Sequence, residues 1–216
     1  MLPSEIRIGS NNLRLHLPED GGTRTAFIDV LLDDCYHIWD LPDAVQSVAD
    51  IGCHAGLFAI AARERWSRAI IHAYEPNVAL KTCYEQHAAQ ANFKVYPEAV
   101  GLSSGTVALI PDPESVQVRT AEAKNGGIPQ VAFREVLARL GGSADVVKLD
   151  CEGAEWEILQ DDVSWQQVRL LTMEFHLWAG YTLEELKSRV ARIGFRIRCC
   201  DVTGPDFGLL LAERRG

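Results

Sequence analysis

No segment of the 216-residue chain approaches the roughly 20 consecutive apolar residues of a membrane span. The first residues, MLPSEIRIGSNN, lack a basic stretch followed by an apolar core. A secretory leader is therefore not expected, and the cytoplasm is the default location. Basic patches are lacking too. The formal net charge is -9, and the short RERWSR run at 63–68 reads as the solvated end of a helix. A field of that sign disfavours nonspecific binding to nucleic acid or anionic membrane. The six cysteines, at 35, 53, 83, 151, 199 and 200, form no C-x-x-C pair, so they read as reduced and mostly buried. Internal repeats, low-complexity tracts and linkers are absent. Neither G-x-G-x-x-G nor Tyr-x-x-x-Lys occurs, which argues against a nicotinamide-dependent oxidoreductase.

The length suits one well-buried α/β domain and is short for two. Residues 1–45 read as an extension packing on the core, with a half-exposed strand at 13–17 and a helical apolar spacing at 25–39. From 46 to 216 strands and helices alternate. Strands are predicted at 47–52, 69–76, 93–101, 145–153 and 168–176, and an extra one at 106–111. Helices are predicted at 55–66, 77–90, 131–141, 154–160 and 182–194; Asn77 is placed to cap the second, and Thr182 with Glu185 forms a capping box on the last. Two late strands, 195–202 and 207–213, flank a Gly204-Pro205-Asp206 reversal. Repetition of this kind predicts a parallel sheet covered by helices on both faces, with one antiparallel strand from the final hairpin.

Ligands of such sheets bind outside the carboxyl ends of the strands. The stretch VADIGCHAG, 48–56, lies at that edge, with Asp50 before Gly52 and Gly56. The glycines permit close backbone approach to a ligand. Asp50 would repel a pyrophosphate but not a ligand carrying an ammonium and a sulfonium. Glu75 closes the next strand, 25 residues later, where an acid can accept from two ribose hydroxyls. A phosphate-free, cationic nucleoside fits both, and S-adenosylmethionine is such a compound. The plainer alternatives are an Asp-Gly turn and a Glu75-Pro76-Asn77 helix start.

VADIGCHAGLFAI, AYEPN, EAVG, VVKLDCEGAEWEIL and MEFH, in that order, resemble the FkbM-type methyltransferases of the S-adenosylmethionine-dependent class I, over roughly residues 36–178. The resemblance implies a Rossmann-like three-layer αβα sandwich, a seven-stranded, mostly parallel sheet with an antiparallel last strand. It also implies methyl transfer, commonly to a hydroxyl of a sugar or natural product. Asp50, Gly52, His54 and Gly56 would lie against the methionine part of the cofactor, His54 standing where many relatives carry Asn. Glu75 would take the ribose hydroxyls, Asn77 would touch the adenosine or only cap its helix, and Glu98 and Ala99 would meet the adenine edge.

In VKLDCEGAE, strand geometry points Lys148, Asp150 and Glu152 to one side, and a Lys148 ion pair accounts for part of that cluster. Asp150 and Glu152 should open onto the transferable methyl, Asp150 also touching the cofactor. Glu174 and His176 end the next strand on the same edge. His176 is the first candidate for a general base, with Asp150 or Glu152 second. A divalent metal held by Asp150, Glu152, Glu174 and His176 is the alternative, which the resemblance does not require. The partner is expected to be a small-molecule acceptor, stacked by Trp178 and Tyr181 under a mobile lid at 111–129; nucleic acid and membrane are not expected, and a homodimer is left open. Competing functions are N-methylation and a noncatalytic nucleoside- or protein-binding module.

Overall fold

Val48, Ala49, Asp50 and Ile51 are all buried, so the first repeating strand is covered on both faces, as a central parallel strand must be. The computed structural model describes residues 2–123 and 127–215. Its chain begins with a small hairpin, β1 (Glu5–Ile8) and β2 (Asn11–Arg14), followed by α1 (Gly21–Leu31). The strand expected at 13–17 thus lies earlier. The helix expected at 25–39 starts earlier, at the Asp20 cap, and ends before the turn at Ile38–Asp40.

The alternation then runs β3 (Ser47–Ile51), α2 (Leu57–Arg65), β4 (Ile70–Tyr74), α3 (Lys81–Ala91) and β5 (Lys94–Tyr96). Asn77 caps the short turn Val78–Leu80 that leads into α3, its side chain accepting from the Ala79 N–H. Next come β6 (Ala99–Gly101), β7 (Gly105–Ile110), β8 (Arg119–Glu122), β9 (Ile128–Ala132) and α4 (Phe133–Arg139). The chain closes with β10 (Ala144–Leu149), α5 (Glu155–Ile158), β11 (Val168–His176), α6 (Leu183–Arg192), β12 (Phe195–Val202) and β13 (Phe207–Arg214). The capping box on α6 is present as expected, with Thr182 and Glu185 bonded reciprocally.

Seven strands form one sheet in the order β12-β13-β11-β10-β3-β4-β5. The five from β11 to β5 pair in parallel, while β13 runs antiparallel to both its neighbours. Side chains alternate between two apolar layers. Val48, Val146 and Leu170 pack with α2 and with Leu13, Phe27 and Ile38 of the first 45 residues. Ala49, Val147 and Leu171 pack with Phe133, Trp156 and Leu186 from α4, α5 and α6. This is the three-layer Rossmann-like arrangement.

One expectation fails. The single strand over 93–101 is broken at Pro97. β5 joins the edge of the large sheet beside β4, whereas β6 pairs with β9 in a second, four-stranded sheet of order β6-β9-β7-β8. Proline has no N–H for a ladder, and so marks the break. Within the stretch expected as a lid, 111–129, Ser115–Gln117 forms a turn and Arg119–Glu122 is β8 of that sheet. Residues 124–126 of that stretch lie outside the described residues.

Candidate active site

A cavity of about 800 Å³ opens at the carboxyl ends of β3, β4, β10 and β11. Its walls include Gly52, His54, Glu75, Glu98 and Ala99 from the sequence-predicted set, together with Asp150, Glu152, Glu174 and His176. Three others stand behind the wall. Asp50 is completely buried, Asn77 caps its turn, and Gly56 begins α2.

The two glycines serve the chain before they serve a ligand. Gly52 has φ +76°, and a Cβ there would fall 1.6 Å from the Asp150 carbonyl oxygen. Gly56 has φ +87°, and its Cβ would press on the Phe93 ring at 2.9 Å. Both conformations suit glycine, and the close approach they permit is to backbone and core, with Gly52 alone of the two on the cavity.

Just after β4, backbone N–H groups hold a carboxylate. Glu75 accepts from the His54 N–H at 2.7 Å through one oxygen and from the Asn77 N–H at 2.8 Å through the other. Burial pushes its carboxyl up to about 7 against these bonds. His54 adopts φ +50°. Its Nε2 lies 2.8 Å from Ser115 Oγ, whose hydroxyl donates to Asp20 at 2.5 Å. That hydroxyl has one proton, so His54 donates from Nε2 and keeps Nδ1 as a bare acceptor, which has no partner among the described residues. Burial lowers the His54 ring to about 4, holding it neutral. At the far end, Glu98 is paired with Arg139 at 2.6 Å.

The ends of β10 and β11 differ. Lys148 pairs in register with Asp50 on the neighbouring strand, and its ammonium lies 3.3 Å from that carboxylate and 3.4 Å from Asp150 Oδ2. It also donates to the Gly52 carbonyl at 2.5 Å. Burial opposes the charge on Lys148, but Asp150 and Asp50 outweigh it and hold the ammonium above its ordinary value. The expected ion pair therefore involves two acids. Tyr36, from the N-terminal 45 residues, donates to the same Asp150 oxygen at 2.8 Å. Burial works against the Asp150 charge, yet Lys148, His176 and Tyr36 keep its carboxyl below the usual range.

His176 is 3% exposed and sits between two glutamates. Its Nδ1 lies 3.3 Å from Glu155 and its Nε2 3.7 Å from Glu152. Glu155 in turn accepts from the Cys151 and Gly153 N–H groups at 2.5 and 2.8 Å. Burial alone would lower His176, but Glu155 and then Glu152 raise it to about 9. Burial, followed by the charge of Asp150, pushes Glu152 and Glu174 each up to about 8. Glu152 has φ +54°, so it reaches His176 from a left-handed turn rather than along the strand.

Tyr36 and Ser115 escaped the sequence reading because no spacing rule connects them to residues 114 and 61 positions away. Trp178 lines the cavity and stacks on His176 with ring centroids 4.3 Å apart. Tyr181, expected beside it, stacks instead on Trp156 at 3.8 Å, outside this cavity.

Residues 50–197 match the methyltransferase FkbM domain. Methyltransferase sdnD of Sordaria araneosa is 26% identical over 192 residues, covering 68% of this chain and 72% of that protein. Among solved structures, the Methanococcus jannaschii fibrillarin pre-rRNA processing protein superposes with a TM-score of 0.58 at 13% identity, over 98% of this chain and 82% of its own. The magnesium protoporphyrin IX methyltransferase of Synechocystis PCC 6803, solved with bound SAM, superposes with a TM-score of 0.51 at 16% identity, over 88% and 81%. These two likenesses concern the fold. The match over residues 50–197 decides the matter: the chain belongs to the FkbM methyltransferase family, with S-adenosylmethionine as its cofactor.

Proposed function

We propose that this methyltransferase methylates a hydroxyl oxygen on a sugar or natural-product small molecule. The carrying observation is that the cluster of Asp150, Glu152, Glu174 and His176 opens into the same cavity as Gly52 and Glu75. A rim that only binds a nucleoside has no use for such a cluster. Taking the proton from an alcohol does.

The residues at the β3 and β4 ends fit the cofactor. Each Glu75 oxygen uses one lone pair on backbone and retains another for a ribose hydroxyl. His54 offers a bare ring nitrogen to an ammonium. The charge nearby is mostly carboxylate, which suits a cationic ligand. When bound, S-adenosylmethionine supplies a methyl carbon on a good leaving group. The chain's own residues then align the acceptor, exclude water and receive a proton. Trp178 and Phe207 give the acceptor flat apolar walls. The acceptor oxygen gains the methyl carbon as the carbon–sulfur bond breaks, and gives up one proton to Asp150, the carboxylate of the cluster that Lys148, His176 and Tyr36 keep ionised.

The test is mass spectrometry of products from labelled cofactor and a panel of hydroxylated and aminated small molecules. One methyl gained on oxygen is expected. His176→Ala should slow turnover while leaving affinity for S-adenosylhomocysteine nearly intact. Label appearing only on nitrogen, or on nothing while the cofactor product still binds, would overturn the reading.

A further inference from the structure

We propose that Asp150, Glu174 and His176 bind a divalent cation of the magnesium or manganese class, with Glu152 as a fourth ligand. The inference rests on the methyltransferase reading and adds a partner to the same site.

One donor atom from each of Asp150, Glu174 and His176 lies within 4.8 Å of the others. That is the spacing of groups converging on a single ion at about 2.0–2.6 Å from each. The arrangement behind these atoms is the stronger argument. Asp150 uses Oδ2 for Tyr36 and Lys148, and its Oδ1 has no hydrogen bond among the described residues. His176 directs Nδ1 to Glu155, itself fixed by two backbone N–H groups. Its Nε2 is left without a hydrogen bond on a side chain 4% exposed that lines the cavity, with Glu152 at 3.7 Å as its nearest charged neighbour. A ring whose far nitrogen is held by a carboxylate is the usual posture of a metal-ligating histidine. Glu174 makes no side-chain hydrogen bond or ion pair among the described residues, and Glu152 Oε2 is buried without a hydrogen-bond partner. Three donors thus share one space, and Glu152 Oε2 stands beside them, 3.7 Å from His176 Nε2.

Charge points the same way. Four buried or half-buried carboxylates, Asp150, Glu152, Glu155 and Glu174, surround one histidine, and the nearby ammonium of Lys148 is shared with Asp50. Lys148 does not occupy the proposed position. It bonds the Gly52 carbonyl and lies on the Oδ2 side of Asp150. Three carboxylates and one imidazole make a mostly hard donor set, which favours manganese or magnesium over softer metals. In the reaction, the ion holds the acceptor hydroxyl and eases loss of its proton, as bound cations do for coordinated oxygen. The proton leaves to solvent or to a carboxylate, and no oxidant or reductant is required.

The probe is Mn²⁺ alone, added to metal-stripped protein and followed by electron paramagnetic resonance. Saturable binding of one ion per chain is expected, weakened at least about tenfold in Glu174→Gln and in Asp150→Asn. Thermal melts of both variants establish that they fold, and Glu174→Gln carries the test if Asp150→Asn does not. No saturation by about 1 mM Mn²⁺ would overturn the proposal. So would saturable binding that Glu174→Gln leaves unchanged. Calorimetry with S-adenosylhomocysteine in excess chelator separates the two readings. Retained affinity there with no manganese site removes the ion alone, whereas no affinity removes the methyltransferase reading beneath it.

Discussion

Glu75 follows β4 and Glu174 lies near the end of β11, and the two carboxylates are held in opposite ways. Both Glu75 oxygens accept backbone N–H groups, and the residue is 8% exposed. Glu174 faces the cavity with no side-chain partner among the described residues. The contrast extends to their surroundings. Near β4, polar atoms close on the peptide chain, so the loop and the carboxylate fix each other. Near β10 and β11, fixed groups such as Glu155 and Tyr36 aim others outward. On the proposed function, the first half would hold the cofactor and the second would supply free lone pairs for chemistry.

Six substitutions break or sharpen that contrast. Lys148→Met leaves Asp50 completely buried without its cation, which should cost roughly 3–5 kcal/mol in urea unfolding. Adding Asp50→Asn should restore much of that loss; no coupling between the two would mean that the pair is not what joins β3 to β10. Gly52→Ala strikes the seam between the halves, because its Cβ meets the Asp150 carbonyl. Backbone strain and the clash should together cost about 3 kcal/mol and abolish binding of S-adenosylhomocysteine, as read by melting and calorimetry.

Glu75→Gln turns an amide N–H toward a backbone N–H and should weaken that ligand about tenfold, or about 1.4 kcal/mol. Glu174→Gln should change the same affinity by less than about 0.5 kcal/mol, and equal losses would erase the distinction between the halves. An effect confined to acid pH concerns His54. Burial depresses its folded value to about 4, so its contribution is present above about 6.5 and is lost as pH falls toward 4. His54→Asn should flatten the acid arm of the stability curve by at most roughly 1.4 kcal/mol per pH unit across that window. Parallel curves would show that the ring titrates freely.

The large sheet was legible because its signals are local and repeated. Apolar runs end in Gly52 or Pro76, and the α6 capping box sits within four residues. The charged strand ends were legible for the same reason. Lys148, Asp150 and Glu174 lie near one another along strands whose register brings them together. The four-stranded sheet was not, although Pro97 inside a presumed strand was a signal that a ladder could not continue. The helical face of α1, the Tyr36 hydroxyl and the Ser115–His54 contact depend on tertiary packing across long separations, and no periodicity encodes them. Glycine chemistry was legible in type but not in purpose: the sequence points Gly56 at a ligand, and the fold points it at Phe93.

The interruption at Pro97 has a mechanical corollary. Tyr74 and Glu75 border the cavity from one sheet, and Ala99 and Val100 border it from the other, with only the turn at Pro97 and Glu98 carrying the chain between β5 and β6. A nucleoside lodged there works as mortar between two separately hydrogen-bonded slabs. Its arrival should therefore slow amide exchange in β9 and β7 as well as in β4, although β9 and β7 reach the cavity only through their neighbours β6 and β8.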